Sequence, residues 1–237
     1  MTSESGRTRK VFTEDLARIE EMALEGLDLV VAQIDRVLEA VEHQDVELAE
    51  IVIADDDRID GRYLEIHQAI LTMLALQAPV AGDLRLVAAL LHMVKHMERM
   101  ADQCVNIAKM LPLVGYEPPR NAELLAKVLR MGRAARSEVT QSRQAFAMRD
   151  VGLAEDLVRQ DREINNLNKE IFRMAVDIGD DTDTREWAMS MTMVARAFER
   201  IGDNAVDIGE QTAFVVSGLF REFSDANRGA GDPPRSS

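Results

Sequence analysis

Glu98-Arg99-Met100-Ala101-Asp102-Gln103-Cys104-Val105-Asn106-Ile107 returns 101 residues later as Glu199-Arg200-Ile201-Gly202-Asp203-Asn204-Ala205-Val206-Asp207-Ile208. Upstream, Asp45-Val46-x-Leu48-Ala49-Glu50 returns at a spacing of 105 as Asp150-Val151-x-Leu153-Ala154-Glu155. Asp56, Ile59, Glu65 and Ile66 return at that same spacing as Asp161, Ile164, Glu170 and Ile171. The later copy has therefore lost about four residues between its second and third helices, and the first helices align poorly. In both copies an Asp, Asp45 or Asp150, stands where an N-cap would open the second helix of a unit. A duplicated three-helix unit follows.

Apolar residues recur at three and four along Leu24, Leu27, Val31, Ile34 and Leu38, and again along Val87, Leu90, Val94, Met97 and Ala101, the period of a helix with one buried face. Aromatics are only 4% of the chain and β-branched alternation is nearly absent, so strands have little to build on. The six prolines, Pro79, Pro112, Pro118, Pro119, Pro233 and Pro234, fall between or after the periodic segments, where they do no harm to a helix. The pattern predicts an all-α chain with six helices, over 13–42, 45–76, 82–110, 120–147, 151–178 and 183–222. These make two tandem, pseudo-symmetric three-helix bundles, residues 1–112 and 113–223, then a disordered tail over 224–237. A 30-residue helix is ~45 Å long, so the bundles are elongated.

The balance of 28 Lys+Arg against 42 Asp+Glu leaves a net charge of −14 in 237 residues, which argues against a protein that grips nucleic-acid phosphates directly. One cysteine, Cys104, can form no internal disulfide, which fits a reducing compartment. No apolar run follows the first basic residues, so no secretory signal is expected, and no apolar stretch approaches the ~18 residues that span a bilayer. A cytoplasmic protein is expected.

At about 100° per residue, Glu98, Asp102 and Asn106 share one helical stripe, as do Glu199, Asp203, Asp207 and Glu210. Asp56 and Asp60 on the second helix make the same four-residue step, repeated by Asp161 and Asn165. If second and third helices pack side by side, these oxygens face a shared groove. Carboxylates so stacked repel unless a cation neutralises them or some hold protons. Divalent Mg, Mn, Fe and Zn all accept such ligands. A solvated acidic face is the alternative, set against the recurrence of the spacing while much else diverged. The second copy is richer in acid, with Glu210 for Lys109 and Asp207 for Asn106, so the two sites should not bind equally.

Arg99 and Arg200 read as partners in structural ion pairs. His92 and His96 have a zinc-compatible spacing, but no Glu follows His92 and their counterparts are Met193 and Ala197; they read as surface or core residues. Cys104 aligns with Ala205, a small buried filler. No Gly-rich phosphate loop, Ser/His/Asp arrangement or CxxC pair is visible.

The repeated Glu-Arg-x-x-Asp segment, preceded in the first copy by Pro79-x-x-x-Asp83-Leu84-Arg85, resembles the PhoU family of bacterial phosphate-transport accessory proteins. The likeness runs over about residues 12–222; the second copy has Asp183-Thr184-Arg185-Glu186 in place of Asp-Leu-Arg. It implies paired three-helix bundles, a homodimer, and metal ions on E/DxxxD helices. Those motifs fall here on Asp56, Asp60, Glu98 and Asp102, and on Asp161, Asn165, Glu199, Asp203 and Asp207. The implied role is non-enzymatic: an adaptor between a sensor histidine kinase and the ATPase subunit of the phosphate transporter, holding the starvation response and uptake down, with only indirect membrane association. A ferritin-like metal oxidase is the alternative, and it wants Glu-x-x-His pairs that the chain lacks.

Overall fold

A computed structural model describes residues 2–77, 79–179 and 181–223. Among these described residues seven α-helices form: α1 (Thr2–His43), α2 (Val46–Ala54), α3 (Asp56–Leu76), α4 (Ala81–Met110), α5 (Ala122–Met148), α6 (Val151–Val176) and α7 (Thr182–Ser217), with one 3-10 turn at Pro112–Val114. Among the described residues there are no strands. The chain is all-α, and the expected tail over 224–237 lies outside the described residues.

Three boundaries differ from the sequence reading. The first helix starts at Thr2, well before residue 13, because a proline-free polar segment, even with Gly6 in it, can extend a helix already nucleated by the packed turns behind it. The second helix is broken: Asp55 ends α2 and opens α3. Its amide still donates to Ile51 O at 2.9 Å, but Arg58 N closes on Asp55 O at 3.1 Å, a three-residue tightening. The Asp55 carboxylate leaves the helix face to pair with Arg36, while Asp56 and Asp57 supply the acidic first turn that a helix N-terminus favours. The last helix stops at Ser217 because Gly218 adopts φ 75°, a left-handed C-terminus open to glycine.

The duplication is more exact in three dimensions than in sequence. Gln44 and Arg149, 105 residues apart, both take φ 55°, ending α1 and α5 alike. Asp45 and Asp150 then accept from Leu48 N at 2.9 Å and Leu153 N at 3.0 Å, caps worth about 1 kcal/mol each. Even the Arg36–Asp55 ion pair has a counterpart at the same spacing, where Gln160 Nε2 donates to Gln141 Oε1 at 2.7 Å.

α1, α4, α5 and α7 form the centre, with α1 against α4 and α5, and α7 against α4 and α5; α3 lies outside on α1 and α4, and α6 outside on α5 and α7. One apolar core runs through both units. Where α1 crosses α5 antiparallel, arginines and acids form a ladder. Arg133 reaches Glu42 at 3.1 Å, Arg136 Nη2 reaches Asp35 at 2.9 Å, Arg143 Nη2 reaches Asp28 at 2.8 Å and Arg149 reaches Glu20 at 2.8 Å. These are partly solvated, so they set register rather than supply much stability. They also consume basic residues, leaving the acids on α3, α4, α6 and α7 facing away from that seam. No helix among the described residues is long and apolar enough to cross a membrane.

Candidate functional site

Along α3 and α4, helical spacing puts Asp56 and Asp60 opposite Glu98 and Asp102. Burial, then the charges of Asp60 and Asp102, hold the Asp56 carboxyl above its ordinary range, with the Gln33 amide and Lys109 pulling the other way. Asp102 is raised too, by burial first and then by Glu98 and Asp60. The four predicted ligands of the first unit thus lie within electrostatic reach of one another. Asp60 and Asp102 are exposed, and Lys95 sits 2.7 Å from Glu98, so this cluster is open and partly neutralised.

The second unit is more enclosed. Burial, then Asp203 and Glu199, push Asp161 up to about 6; burial, then Glu199, raise Asp203. Glu199 is buried and paired with Arg196, and Asn165 Nδ2 donates to Asp161 at 2.7 Å. Asp207 stands further along, toward α4, where His96 Nδ1 lies 3.4 Å from its Oδ2 and 2.8 Å from Asn204 Oδ1. His96 is therefore a buried link between α4 and α7. Arg200 forms its ion pair along its own helix, with Asp203 at 3.6 Å. Cys104 is fully buried, and burial, then Asp56, raise its thiol far above the usual range, so it packs and does not react.

One residue at this cluster escapes the motif. Glu138 on α5 is 0% exposed, and neither carboxylate oxygen has a hydrogen-bond partner. Burial first, then Asp161, Asp203 and Glu163, push it up to about 9. Gly202 makes the approach possible: a Cβ there would stand 2.8 Å from Glu138 Oε2, 3.0 Å from Ile164 Cδ1 and 3.3 Å from Asp161 Oδ1. Its counterpart is Gln33, 105 residues earlier, also buried, its amide close enough to Asp56 to favour that carboxylate but in no well-formed hydrogen bond. The signal was an acid inside a core stripe, since Val128, Met131, Ala135, Glu138, Ser142 and Ala145 all turn inward.

Buried oxygens without hydrogen-bond partners, Asp161 Oδ1 and both of Glu138, drawn together over Gly202, are what a hard cation would use. As the side chains stand, no three His, Cys, Asp or Glu groups among the described residues converge on one point that could hold an ion. Glu98 and Glu199 are instead turned to Lys95 and Arg196, one turn back on their own helices. A bound ion would have to take both away from those partners.

The PhoU domain family matches residues 24–111 and 128–212. A Clostridium acetobutylicum protein named phosphate-specific transport system accessory protein PhoU homolog is 29% identical over 220 residues, 92% of this chain and 100% of its own length. A Zymomonas mobilis protein of the same name is 30% identical, over 96% of this chain and 94% of its own. The crystal structure of PhoU from Pseudomonas aeruginosa is similar with a TM-score of 0.82 and 26% identity, over 88% of this chain and 100% of that one. The regulatory protein PhoU from Streptococcus pneumoniae, at TM-score 0.77 and 24% identity over 89% and 99%, shares the fold.

Proposed function

This chain belongs to the PhoU domain family, and from that membership we propose that it is a cytoplasmic, non-enzymatic negative regulator of the phosphate-starvation response and of high-affinity phosphate uptake. The observation that carries the reading is a match along nearly the whole length to accessory proteins of phosphate-specific transport. In this reading the chain is an adaptor, and as a homodimer it docks the ATPase subunit of the phosphate transporter and its sensor histidine kinase. Long helical faces suit docking. On the outer side of α6 and α7, Phe172 is 59% and Met193 56% exposed, flanked by Lys169, Arg173 and Arg196. An apolar groove with basic edges on an acidic protein favours an acidic partner segment.

The cation belongs to the same reading. Asp56, Asp60, Glu98 and Asp102 would hold one site, and Asp161, Asn165, Glu199, Asp203 and Asp207 the other, with Mg, Mn, Fe or Zn as the ion. What the ion supplies is positive charge that cancels carboxylate repulsion. Asp56 and Asp161 bring α3 and α6 to it, Glu98 and Glu199 bring α4 and α7, and the helix pair is tied in one arrangement.

The regulatory reading is tested in a strain deleted for its own PhoU protein and carrying a phosphate-starvation reporter. With ample phosphate the deletion strain expresses the reporter, and this chain restores repression. A reporter that stays on with the chain folded and present contradicts the assignment.

A further inference from the structure

Glu138 has no place in the motif that defines the two clusters, and nothing in the core needs it. A carboxyl at a fully buried position of α5 with two oxygens that no donor meets is costlier than a Gln or Leu of similar size. The charges nearest to it, Asp161, Asp203 and Glu163, are all negative. The arginines of the cluster are engaged with its other acids, Arg196 with Glu199 and Arg200 with Asp203. Its Oε2 and the equally unpartnered Asp161 Oδ1 both lie within 3.3 Å of the point that a Cβ on Gly202 would occupy. The missing side chain on α7 thus lets α5 and α6 each bring a carboxyl oxygen without a hydrogen-bond partner up against Gly202, close to one another.

We infer that Glu138 is a divalent-cation ligand of the second unit, reaching from α5 across Gly202 to the Asp161–Asp203 cluster, and that it makes this site tighter than the first. The inference rests on the cation reading above and extends it to a third helix. In the first unit the same place on α1 holds Gln33, an amide with no charge to offer, and Ala101 stands where Gly202 leaves room. Basic side chains stand beside both clusters, Lys95 and Lys109 at the first and Arg196 and Arg200 at the second, so they do not set the two sites apart. The two units, alike in their E/DxxxD helices, therefore differ at the helix the motif does not include. An ion in the second unit ties α5, α6 and α7 together, whereas one in the first bridges α3 and α4.

The test is Mn2+ binding to the chelator-stripped full chain, read from the loss of the free-ion EPR signal. Using Asp56→Asn/Asp102→Asn as the background leaves the second site alone to titrate. Adding Glu138→Gln weakens Mn2+ binding there by roughly 10- to 100-fold, while a metal-free thermal melt shows the variant folded. In the mirror experiment, with Asp161→Asn/Asp203→Asn as background, Gln33→Glu tightens the first site. If Glu138→Gln titrates like its background while Asp161→Asn/Asp203→Asn abolishes the second site, Glu138 is not a ligand and the cation reading stands without it. If the unsubstituted chain leaves the free Mn2+ signal unchanged, both fall.

Discussion

Glu138→Gln raises the melting temperature of the metal-free protein and flattens its dependence on pH. The sign follows from linkage. The folded chain holds the Glu138 proton up to about 9, against an ordinary value of 4.5, so between the two the folded state keeps a proton that the unfolded state has released. The stability tied to this group is fully present below the unfolded value and is lost as pH rises through the folded one. Asp161, raised to about 6, and Asp203, raised by burial and then Glu199, act in the same direction. At pH 7 the uncharged Gln relieves a penalty of the order of 3 kcal/mol. At roughly 2–4 °C per kcal/mol for a chain of this size, the shift is several degrees. Asp156 works the other way, drawn down to about 2 by hydrogen bonds from Arg159 and then Gln160, but its contribution is lost only in acid below its ordinary range. Calorimetric melts from about pH 5 to about pH 9 should show unsubstituted protein losing stability as pH rises and Glu138→Gln losing much less. Parallel curves would mean that the Glu138 carboxyl is not held protonated inside the bundle.

Phe198→Ala costs about 3–5 kcal/mol, the range for removing a buried ring that cannot be refilled. Phe198 is fully buried on α7, the helix that contacts α4, α5 and α6. Its ring lies where Gly132 on α5 has no side chain: a Cβ there would be 2.7 Å from Phe198 Cζ and 2.6 Å from Leu38 Cδ2. The loss therefore opens space between α5 and α7, next to Glu199 and one turn from Asp203. Gly132→Ala alone overpacks the same contact and destabilises by about 1–3 kcal/mol. Combined with Phe198→Ala it fills part of the cavity, so the double variant is less destabilised than the two singles added. Urea unfolding with all four proteins measures both the size and the coupling. Simple additivity would show that the Gly132–Phe198 contact does not position α7.

The helices were legible because their apolar residues keep a period near 3.6 and their prolines lie outside. The repeat was legible at α2, α4, α6 and α7 because caps and carboxylates kept their spacing. It faded at α1 and α5 because what is conserved there is position rather than residue type: Gln44 and Arg149 share a left-handed backbone, and Arg36–Asp55 became Gln141–Gln160. The break at Asp55 could not be read from local propensity, since it depends on Arg36 nineteen residues away. The acid stripes were legible from four-residue spacing and the resemblance picked nine residues from them; the structure puts Asp56, Asp60, Glu98 and Asp102 within one field and Asp161, Glu199 and Asp203 within another. Glu138 was legible only as an acid in a core register, visible once α5 is known to turn that face inward.

If the proposed regulator works through its acid clusters, removing their charge removes repression. Glu98→Gln/Asp102→Asn/Glu199→Gln/Asp203→Asn, produced at the level of the unsubstituted chain and folded as judged by its melt, is placed in the deletion strain with the phosphate-starvation reporter and ample phosphate. The account expects the unsubstituted chain to silence the reporter and the fourfold variant to leave it on. A variant that silences it equally well would contradict a regulatory role for the carboxylates and leave docking to the helical faces alone.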